Sequence, residues 1–374
     1  MTSWPDDPRA PAGGVEAVSV NLLEPLAKFR DLDLHVVTTK RTYSSLRTRR
    51  WGNVNIHRLP WAGGSTLGHA IGPGRRQMQK YIETIEPDIV HAHDTYGLMV
   101  KGMVLPRVFT IHGFIYRDTA VSGSRFARVR SWIWRQIETS GWADQPHIIS
   151  ISPYVRRHLE SIAKGAIYDI DNPAAESFFD VKRTERRGVI FSAACISRLK
   201  NTLGLLQAMA RLSSEGCEAT LRLAGSCHDL GYEHCLKEFI RDHDLMDRVA
   251  FLGSLTVEQI QAELASASVF ALVSLHENAP LSIVEAMAAG VPVVTSNRCG
   301  MPYMVRDGES GFLVDPEDPD DIARRLGQVL ENDALRRSMG AKGREIALDR
   351  FHPLKVAART REVYLRVVNG FRQR

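Results

Sequence analysis

The sequence predicts a two-domain α/β protein built on parallel sheets. Its 374 residues exceed what one hydrophobic core usually fills, and short β-branched segments alternate with amphipathic helical segments along the chain. A linker at residues 171–187, with an Asn-Pro pair and a charged run, separates two such series. We therefore expect domains at residues 1–175 and 186–352, followed by a C-terminal helical segment, 353–374.

The N-terminal series begins with a helix after Gly14, whose apolar stripe is formed by Val15, Val18, Leu22, Leu26 and Phe29. Strands are predicted at residues 34–39, 89–92, 108–111 and 148–151. A chain of this class usually opens with an apolar strand that leads into the first glycine loop, but residues 4–8 are Trp-Pro-Asp-Asp-Pro, which cannot form a central strand. Either the first strand is missing from this sequence, or the N-terminal sheet is one strand short.

The C-terminal series has the same rhythm. Strands are predicted at residues 189–193, 220–224, 249–252, 269–273 and 291–295, and the last helix at about 354–368. No internal repeat or low-complexity segment interrupts the series.

Composition excludes several functional classes. The 48 basic and 43 acidic residues leave a formal charge of +5, which suits an anionic ligand or an anionic membrane surface but is no signature of nucleic-acid binding. Five cysteines without a CxxC pair are typical of reduced thiols. With no apolar run of about 20 residues and no signal peptide, we expect a cytoplasmic protein.

The densest pattern lies between residues 269 and 315. An apolar strand ends before Glu277, and a short helix at 282–289 leads into the next strand. This order places Glu277 at the carboxyl end of a parallel strand, where open α/β sheets bind ligands, and the N-terminus of the helix suits a phosphate. Glu285 is predicted in the first turn of that helix, although Ser282-x-x-Glu285 also fits a capping box.

The spacing of Glu277 and Glu285 within HENAPLSIVEAMAAGVPVV resembles the paired-glutamate motif of the family-4-type retaining glycosyltransferases of the GT-B fold. Residues 299–314 resemble the usual continuation of that motif, and the likeness extends from Gly13 to the last helix. It implies two Rossmann-like domains that face each other across a cleft, with the last helix crossing back to the first domain. It also implies transfer of a hexose from a nucleotide diphosphate sugar to an acceptor hydroxyl, with retention at the anomeric carbon.

The resemblance assigns roles to the two carboxylates. Glu277 would bind hydroxyls of the donor hexose, and Glu285 would bind the ribose of the nucleotide. Backbone amides near Ala279, Pro280 and Leu281 would meet the sugar and the phosphate.

A basic loop follows the first strand of the second domain. In the family, an Arg and a later Lys on this loop stabilise the leaving diphosphate, and charge stabilisation of this kind is a large term in catalysis. Lys200 matches the second position, and Arg198 is the candidate for the first in a shortened loop. The alternative is a solvated basic turn.

The first domain contributes two further candidates through the resemblance. Gly14 lies in the glycine loop that approaches the diphosphate. His112 follows a strand and would lie beside the donor sugar, where a neutral imidazole accepts or relays a proton. His91 and His93 also lie at the end of a strand, and we interpret them as structural.

Two segments are candidates for contact with the acceptor or with a membrane. The glycine-rich residues 62–74 form either a loop near the acceptor or a connector. Residues 125–135 mix arginines with large aromatic side chains, which suits an interfacial helix on anionic lipid at the inner face of the cell membrane. The alternative is a surface helix with Trp132 or Trp134 in the core.

The predicted partners are a nucleotide diphosphate sugar and a glycan or lipid-linked acceptor in cell-surface polysaccharide or glycolipid synthesis. No metal and no cofactor are expected, since the sequence has no Asp-rich or His/Cys cluster. Two rivals stay open: a non-catalytic subunit of a glycan-assembly complex and a nucleotide-sugar epimerase of the same fold. A nicotinamide dehydrogenase is disfavoured because no GxGxxG follows a strand.

Overall fold

The computed structural model describes residues 1–120 and 126–373. The chain divides into two compact units. Unit 1 comprises Met1–Asn172 together with Pro353–Arg374, and unit 2 comprises Pro173–His352.

The described residues of unit 1 form two small sheets. In the first, of order β1-β3-β2, β1 and β3 are parallel and β2 runs antiparallel along the edge. The second has four parallel strands in the order β4-β5-β6-β7. The strands are β1 (His35–Lys40), β2 (Arg47–Trp51), β3 (Val54–Pro60), β4 (Val90–His93), β5 (Arg107–Ile111), β6 (His147–Ser150) and β7 (Ala166–Asp169).

Helices connect and cover these strands. They are α1 (Gly14–Leu26), α2 (Thr66–Ile71), α3 (Pro73–Ile85), α4 (Tyr96–Met99), α5 (Ile115–Ala120), α6 (Ala127–Ala143) and α7 (Pro153–Leu159). The predicted stripe of α1 is on its inner face, since Val18, Leu22 and Leu26 are buried.

Unit 2 is built on one six-stranded parallel sheet of order β10-β9-β8-β11-β12-β13. Its strands are β8 (Val189–Ala193), β9 (Thr220–Ala224), β10 (Val249–Gly253), β11 (Val269–Leu272), β12 (Val293–Ser296) and β13 (Gly311–Val314). Alternate residues enter different apolar clusters: Ile190 of β8 packs in one, and Val189 and Phe191 pack in the other. Both faces of the sheet are therefore buried, which explains the continuous apolar runs in the sequence.

The helices of unit 2 form the two layers over this sheet. They are α8 (Thr202–Ser214), α9 (Leu230–Asp242), α10 (Val257–Ser266), α11 (Leu281–Ala288), α12 (Pro319–Glu331) and α13 (Asp333–Arg350), with short 3₁₀ turns at Glu176–Asp180 and Met301–Tyr303.

The last helix, α14 (Pro353–Arg372), belongs to unit 1. Its apolar side chains share a cluster with Leu22 and Leu26 of α1 and with Val108 of β5. Tyr364 is hydrogen-bonded through its hydroxyl to Nδ1 of His91, at 2.7 Å. The helix is thus held against the unit by both packing and a side-chain bond.

The start of the chain contains no strand ahead of α1 among residues 1–13, as the sequence predicts. Met1 and Thr2 bridge β1 and β4 instead: the Thr2 N–H donates to the carbonyl of Val37 at 3.4 Å, and the His93 N–H donates to that of Met1 at 3.0 Å. These two residues stand between the two sheets of unit 1.

Of the strands in the described residues, four were not predicted from the sequence: β2, β3, β7 and β13. Residues 62–74 are also more than a connecting loop, because α2 and the start of α3 lie within them. In the part of the chain that the structure describes, no helix is long and apolar enough to cross a membrane.

Candidate active site

An ion pair between Lys200 and Glu277 forms the centre of the candidate site in unit 2. The Nζ atom of Lys200 donates a hydrogen bond to Oε1 of Glu277. The side chain of Lys200 is 22% exposed and that of Glu277 is 16% exposed, so the pair is largely buried but still reached by solvent. Ser274 adds a longer contact, with its hydroxyl 3.5 Å from the same oxygen.

Strand order explains why these residues meet. Lys200 follows β8 and Glu277 follows β11, and the two strands are parallel neighbours. The loops after them are tied by a backbone bond from the N–H of Leu275 to the carbonyl of Leu199, at 2.9 Å. The pair therefore lies at the carboxyl edge of the sheet, where ligands bind in folds of this class.

A third loop supports Glu277 through backbone contacts. The N–H of Gly300 donates to the carbonyl of Glu277 at 2.8 Å. A Cβ atom at Gly300 would lie 1.7 Å from the carbonyl oxygen of Asn278, so only glycine allows this approach. Cys299 next to it has a positive φ of 56°, which marks a sharp turn.

Glu285 lies in the second turn of α11. The helix begins at Leu281 with Pro280 as its N-cap, and no side-chain hydrogen bond caps it. The capping-box interpretation of Ser282 and Glu285 is therefore wrong, as is the placement of Glu285 in the first turn. Among the residues that the structure describes, its carboxylate has no hydrogen-bond or ion-pair partner, so local structure does not account for an acid here.

Burial raises the pKa of the Glu285 carboxyl to about 7, against 4.5 for the free side chain. The folded protein holds this proton more tightly than the unfolded chain. The contribution of the protonated Glu285 carboxyl to the free energy of unfolding is therefore complete below about pH 4.5, and it is lost as the pH rises to about 7. The loss amounts to something on the order of 3 kcal/mol.

Glu285→Gln is expected to abolish this pH dependence, because glutamine does not ionise. The free energy of unfolding of the variant should exceed that of the wild type by about 2–3 kcal/mol near pH 8 and by much less near pH 5. Denaturant titrations at both pH values measure the difference. As a control, Glu317→Gln removes an exposed carboxylate of the same unit and should follow the wild type. Parallel curves for Glu285→Gln and the wild type would contradict the assignment.

Arg198 has a different neighbour from Lys200. Its guanidinium stacks over the ring of Tyr232, 4.8 Å from the ring centroid, and the Tyr232 hydroxyl accepts a hydrogen bond from the N–H of Leu203 at 3.0 Å. Tyr232 thus fixes the stem of the basic loop, whereas Lys200 faces Glu277.

In unit 1, His112 follows β5 and is held in place by its neighbours. Its backbone N–H and that of Gly113 donate to Oδ1 of Asp94, at 2.8 and 3.3 Å. Burial lowers the pKa of His112, against the opposing effects of the Asp94 carboxylate and a hydrogen bond with Asn172. The imidazole is therefore neutral near pH 7, the form that accepts a proton.

The other two histidines differ from each other. His91 is hydrogen-bonded to Thr110 and Tyr364, both at 2.7 Å, which is a structural arrangement. His93 contacts His112 directly, with Nδ1 2.8 Å from Nε2 and the rings stacked. This contact was missed from the sequence, because it depends on the pairing of His93 with Thr110 across β4 and β5.

The glycine loop of unit 1 precedes α1, which begins at Gly14. A Cβ atom at Gly13 or Gly14 would meet no protein atom within 4 Å. Packing in the protein thus gives no reason for glycine here. Among the described residues, no group of three or more His, Cys, Asp or Glu side chains could hold a metal ion.

Comparison with known families decides the class of the protein. The family described as Glycosyltransferase Family 4 matches residues 12–173, and the family described as Glycosyl transferases group 1 matches residues 174–346. The chain belongs to the family-4-type glycosyltransferases. The matches meet at the boundary between residues 173 and 174, next to the division between the units.

Among the relatives of this glycosyltransferase is MMP α-(1→4)-mannosyltransferase of Mycolicibacterium hassiacum. The two are 29% identical over 295 residues, which cover 75% of this chain and 71% of the relative.

Solved structures show that this glycosyltransferase has the GT-B fold. Sucrose-phosphate synthase from Thermosynechococcus elongatus is 20% identical, with a TM-score of 0.84 over 98% of both chains. Anabaena HepE, solved in complex with UDP and glucose, is 18% identical, with a TM-score of 0.66 over 82% of this chain and 85% of its own.

Proposed function

We propose that this glycosyltransferase moves a hexose from a nucleotide diphosphate sugar to an acceptor hydroxyl, with retention at the anomeric carbon. The observation that carries the proposal is the Lys200–Glu277 pair at the carboxyl edge of the unit 2 sheet. It combines a cation for a phosphate with a carboxylate for sugar hydroxyls. The complex of HepE with UDP and glucose supports a donor of this class.

In this proposal, Glu277 accepts hydrogen bonds from hydroxyls of the hexose. The carboxylate of Glu285, which has no partner among the described residues, binds the ribose. The backbone of Ala279–Leu281 meets the sugar and the phosphate. Pro280 has no N–H, so the donors are the N–H groups of Ala279 and of Leu281, the first residue of α11. We assign His112 to the donor sugar and Gly14 to the diphosphate, as the resemblance implies.

Charge stabilisation of the leaving group is assigned to Lys200 and Arg198. When the bond between the anomeric carbon and the phosphate oxygen breaks, negative charge grows on the diphosphate. An ammonium group that the fold already holds in position stabilises that charge, because no group has to move during the reaction. Lysine acts as a point charge and arginine as a planar fork. The proposed reaction is metal-independent, because these cations and the N-terminus of α11 supply the positive potential.

The proposed acceptor is a glycan or a lipid-linked sugar in the synthesis of a cell-surface polysaccharide or glycolipid. Such an acceptor would be met at the inner face of the cell membrane. The exposed aromatic and basic side chains of α6 support contact with that surface. Arg125, the first residue of the predicted membrane segment 125–135, lies outside the described residues.

A thermal-shift screen against nucleoside diphosphates and their sugars tests the proposal. A ligand that binds only the folded protein raises its stability by mass action, so one base should give the largest shift. Glu285→Gln should weaken that shift, and the exposed control Glu317→Gln should preserve it. If no nucleotide of the panel shifts the folded wild type, the proposal is wrong.

A further inference from the structure

Positive charge is concentrated in one part of unit 1. Residues 34–82, which contain the first sheet, α2 and most of α3, have no Asp or Glu. Because the whole chain carries only +5, the rest of the protein is slightly acidic. A charge distribution of this kind creates a local positive potential that attracts anions. The basic residues of this segment are Lys40, Arg41, Arg47, Arg49, Arg50, Arg58, Arg75, Arg76 and Lys80.

Carboxylates from other segments neutralise little of this charge. Asp6 pairs with Lys40 at 2.8 Å and lies 3.8 Å from Arg58. The other basic residues of segment 34–82 form no ion pair with any residue that the structure describes. Their charge is therefore available to a ligand, and the exposed arginines among them are Arg41, Arg47, Arg49, Arg50 and Arg76.

The arrangement of these charges does not serve the stability of the sheet. Arg47 of β2 lies directly opposite Arg58 of β3, and like charges in such cross-strand pairs destabilise a sheet. Asp6 offsets this repulsion at Arg58 only. A binding role accounts for the retained charge better than a structural one.

Arg41 is exposed, yet two contacts hold its guanidinium in place. The group stacks over the indole of Trp61, 4.7 Å from the ring centroid, and Nη1 donates to the carbonyl of Gly64 at 2.9 Å. A Cβ atom at Gly64 would meet no protein atom within 4 Å, so there is open space beside the guanidinium. An arginine that is already ordered loses less conformational entropy when it binds a ligand.

Trp61 is itself fixed from its other side. Its ring stacks on that of His69, with 3.8 Å between centroids. The Nδ1–H of His69 donates to the carbonyl of Ala62 at 2.7 Å, and Nε2 accepts from the hydroxyl of Thr39 at 3.0 Å. Burial lowers the pKa of His69, so the positive charge of the stack is that of Arg41.

The stack lies where a substrate can reach it. Strands β1 and β3 are parallel, with Lys40 opposite Pro60. Arg41 and Trp61 follow these two residues, so both lie just beyond the carboxyl edge of the first sheet, the edge at which open α/β sheets bind ligands. Trp61 also leads directly into residues 62–74, the segment that the sequence predicts as either a loop near the acceptor or a connector.

We propose that the acceptor of this glycosyltransferase carries a phosphate or carboxylate group and that Arg41 binds this group. The role of Arg41 in transfer rests on the proposed function, to which it adds the chemical class of the acceptor. A guanidinium donates two parallel hydrogen bonds to the oxygens of either group. The exposed arginines of β2 attract such an acceptor from solution.

Calorimetric titration of the full-length protein with matched sugars tests the inference. Hexoses, their 6-phosphates and the corresponding uronates are compared, with the donor site filled by the nucleoside diphosphate that gives the largest thermal shift. At least one anionic sugar should bind about tenfold or more tightly than its neutral parent. Arg41→Gln should lower that affinity by about tenfold or more and leave the affinity for the neutral parent unchanged. Its thermal transition should stay within a few degrees of the wild type.

Arg47→Gln is the matched control, because it removes the same charge from an exposed position of the same segment. It should change the affinity for the anionic sugar by less than about twofold. Equal losses for the two variants, or no anionic sugar that binds more tightly than its parent, would overturn the inference. So would a loss in Arg41→Gln that is confined to binding of anionic vesicles, which would assign these arginines to a membrane.

Binding of the nucleoside diphosphate is measured on the same samples. Nucleotide binding without any preference for anionic sugars would refute the acceptor class and leave the proposed function intact. A wild-type protein that binds no nucleotide would contradict the proposed function, whether or not Arg41 binds anionic sugars.

Discussion

Glu277→Gln is expected to lower the rate of hexosyl transfer by about a thousandfold while unit 2 stays folded. The carboxylate is paired with Lys200, and in the proposed reaction it binds hydroxyls of the hexose. A neutral amide of the same size keeps the volume of the side chain but loses the charge and one of the two acceptor oxygens. Initial rates with the donor from the nucleotide screen measure the effect.

The size of this effect separates a catalytic role from a structural one. A partly exposed ion pair contributes only about 1 kcal/mol to stability, so the thermal transition of Glu277→Gln should move by a few degrees at most. Glu317→Gln, which breaks the ion pair of Glu317 with Arg298, should transfer at the wild-type rate. Activity of Glu277→Gln within about twofold of wild type would remove Glu277 from the site.

Gly300→Ala is expected to destabilise unit 2 by about 3 kcal/mol or more and to lower transfer at least about tenfold. The added Cβ would lie 1.7 Å from the carbonyl oxygen and 2.4 Å from the carbonyl carbon of Asn278. These are backbone atoms, so no rotamer change relieves the clash. The loops must separate, which breaks the bond from Gly300 to the carbonyl of Glu277 and displaces the carboxylate.

Gly327→Ala provides the control for this substitution. Gly327 lies within α12, and a Cβ there would meet its nearest atom, Cδ2 of Leu212, at 3.5 Å, an ordinary contact. Alanine in a helix interior is favoured over glycine by about 1 kcal/mol, so this variant should equal or exceed the stability of the wild type. Denaturant unfolding measures the free energy of unfolding of both variants against that of the wild type. A Gly300→Ala protein as stable as the wild type would contradict the described loop contact.

The sheet of unit 2 was largely predictable because three of its central strands, β8, β11 and β12, are buried along almost their whole length. The predictions for residues 189–193 and 220–224 coincide with β8 and β9. The edge strand β2 was missed because its sequence, Arg-Thr-Arg-Arg-Trp, is almost entirely exposed and has none of the apolar pattern of a buried strand. Charges on an edge strand prevent it from pairing with a strand of another chain. The same charges remove the alternating apolar pattern by which a strand is predicted.

The candidate site was predicted residue by residue but not as a set of contacts. Lys200 and Glu277 were both named from the sequence, but they are 77 residues apart. Their pairing depends on β8 and β11 being neighbours in the sheet. The error at Glu285 has a local cause. Pro280 acts as the N-cap and α11 starts at Leu281, one residue earlier than predicted. The change moves Ser282 inside the helix, where it cannot cap.

The contact between His93 and His112 shows a further limit. Each histidine follows or ends a strand in the sequence, and nothing in the spacing distinguishes His93 from His91. Only the pairing of β4 with β5 directs one toward His112 and the other toward Tyr364.

The central claim is transfer of a hexose with retention, and NMR of the product of the wild-type enzyme tests it most directly. With the donor that gives the largest thermal shift and a glycan acceptor, the anomeric signal of the product should keep the configuration of the donor. A product of the opposite configuration would contradict the claim. So would inversion of a sugar centre without acceptor, which indicates an epimerase, or bound donor that stays intact with every acceptor, which indicates a non-catalytic subunit.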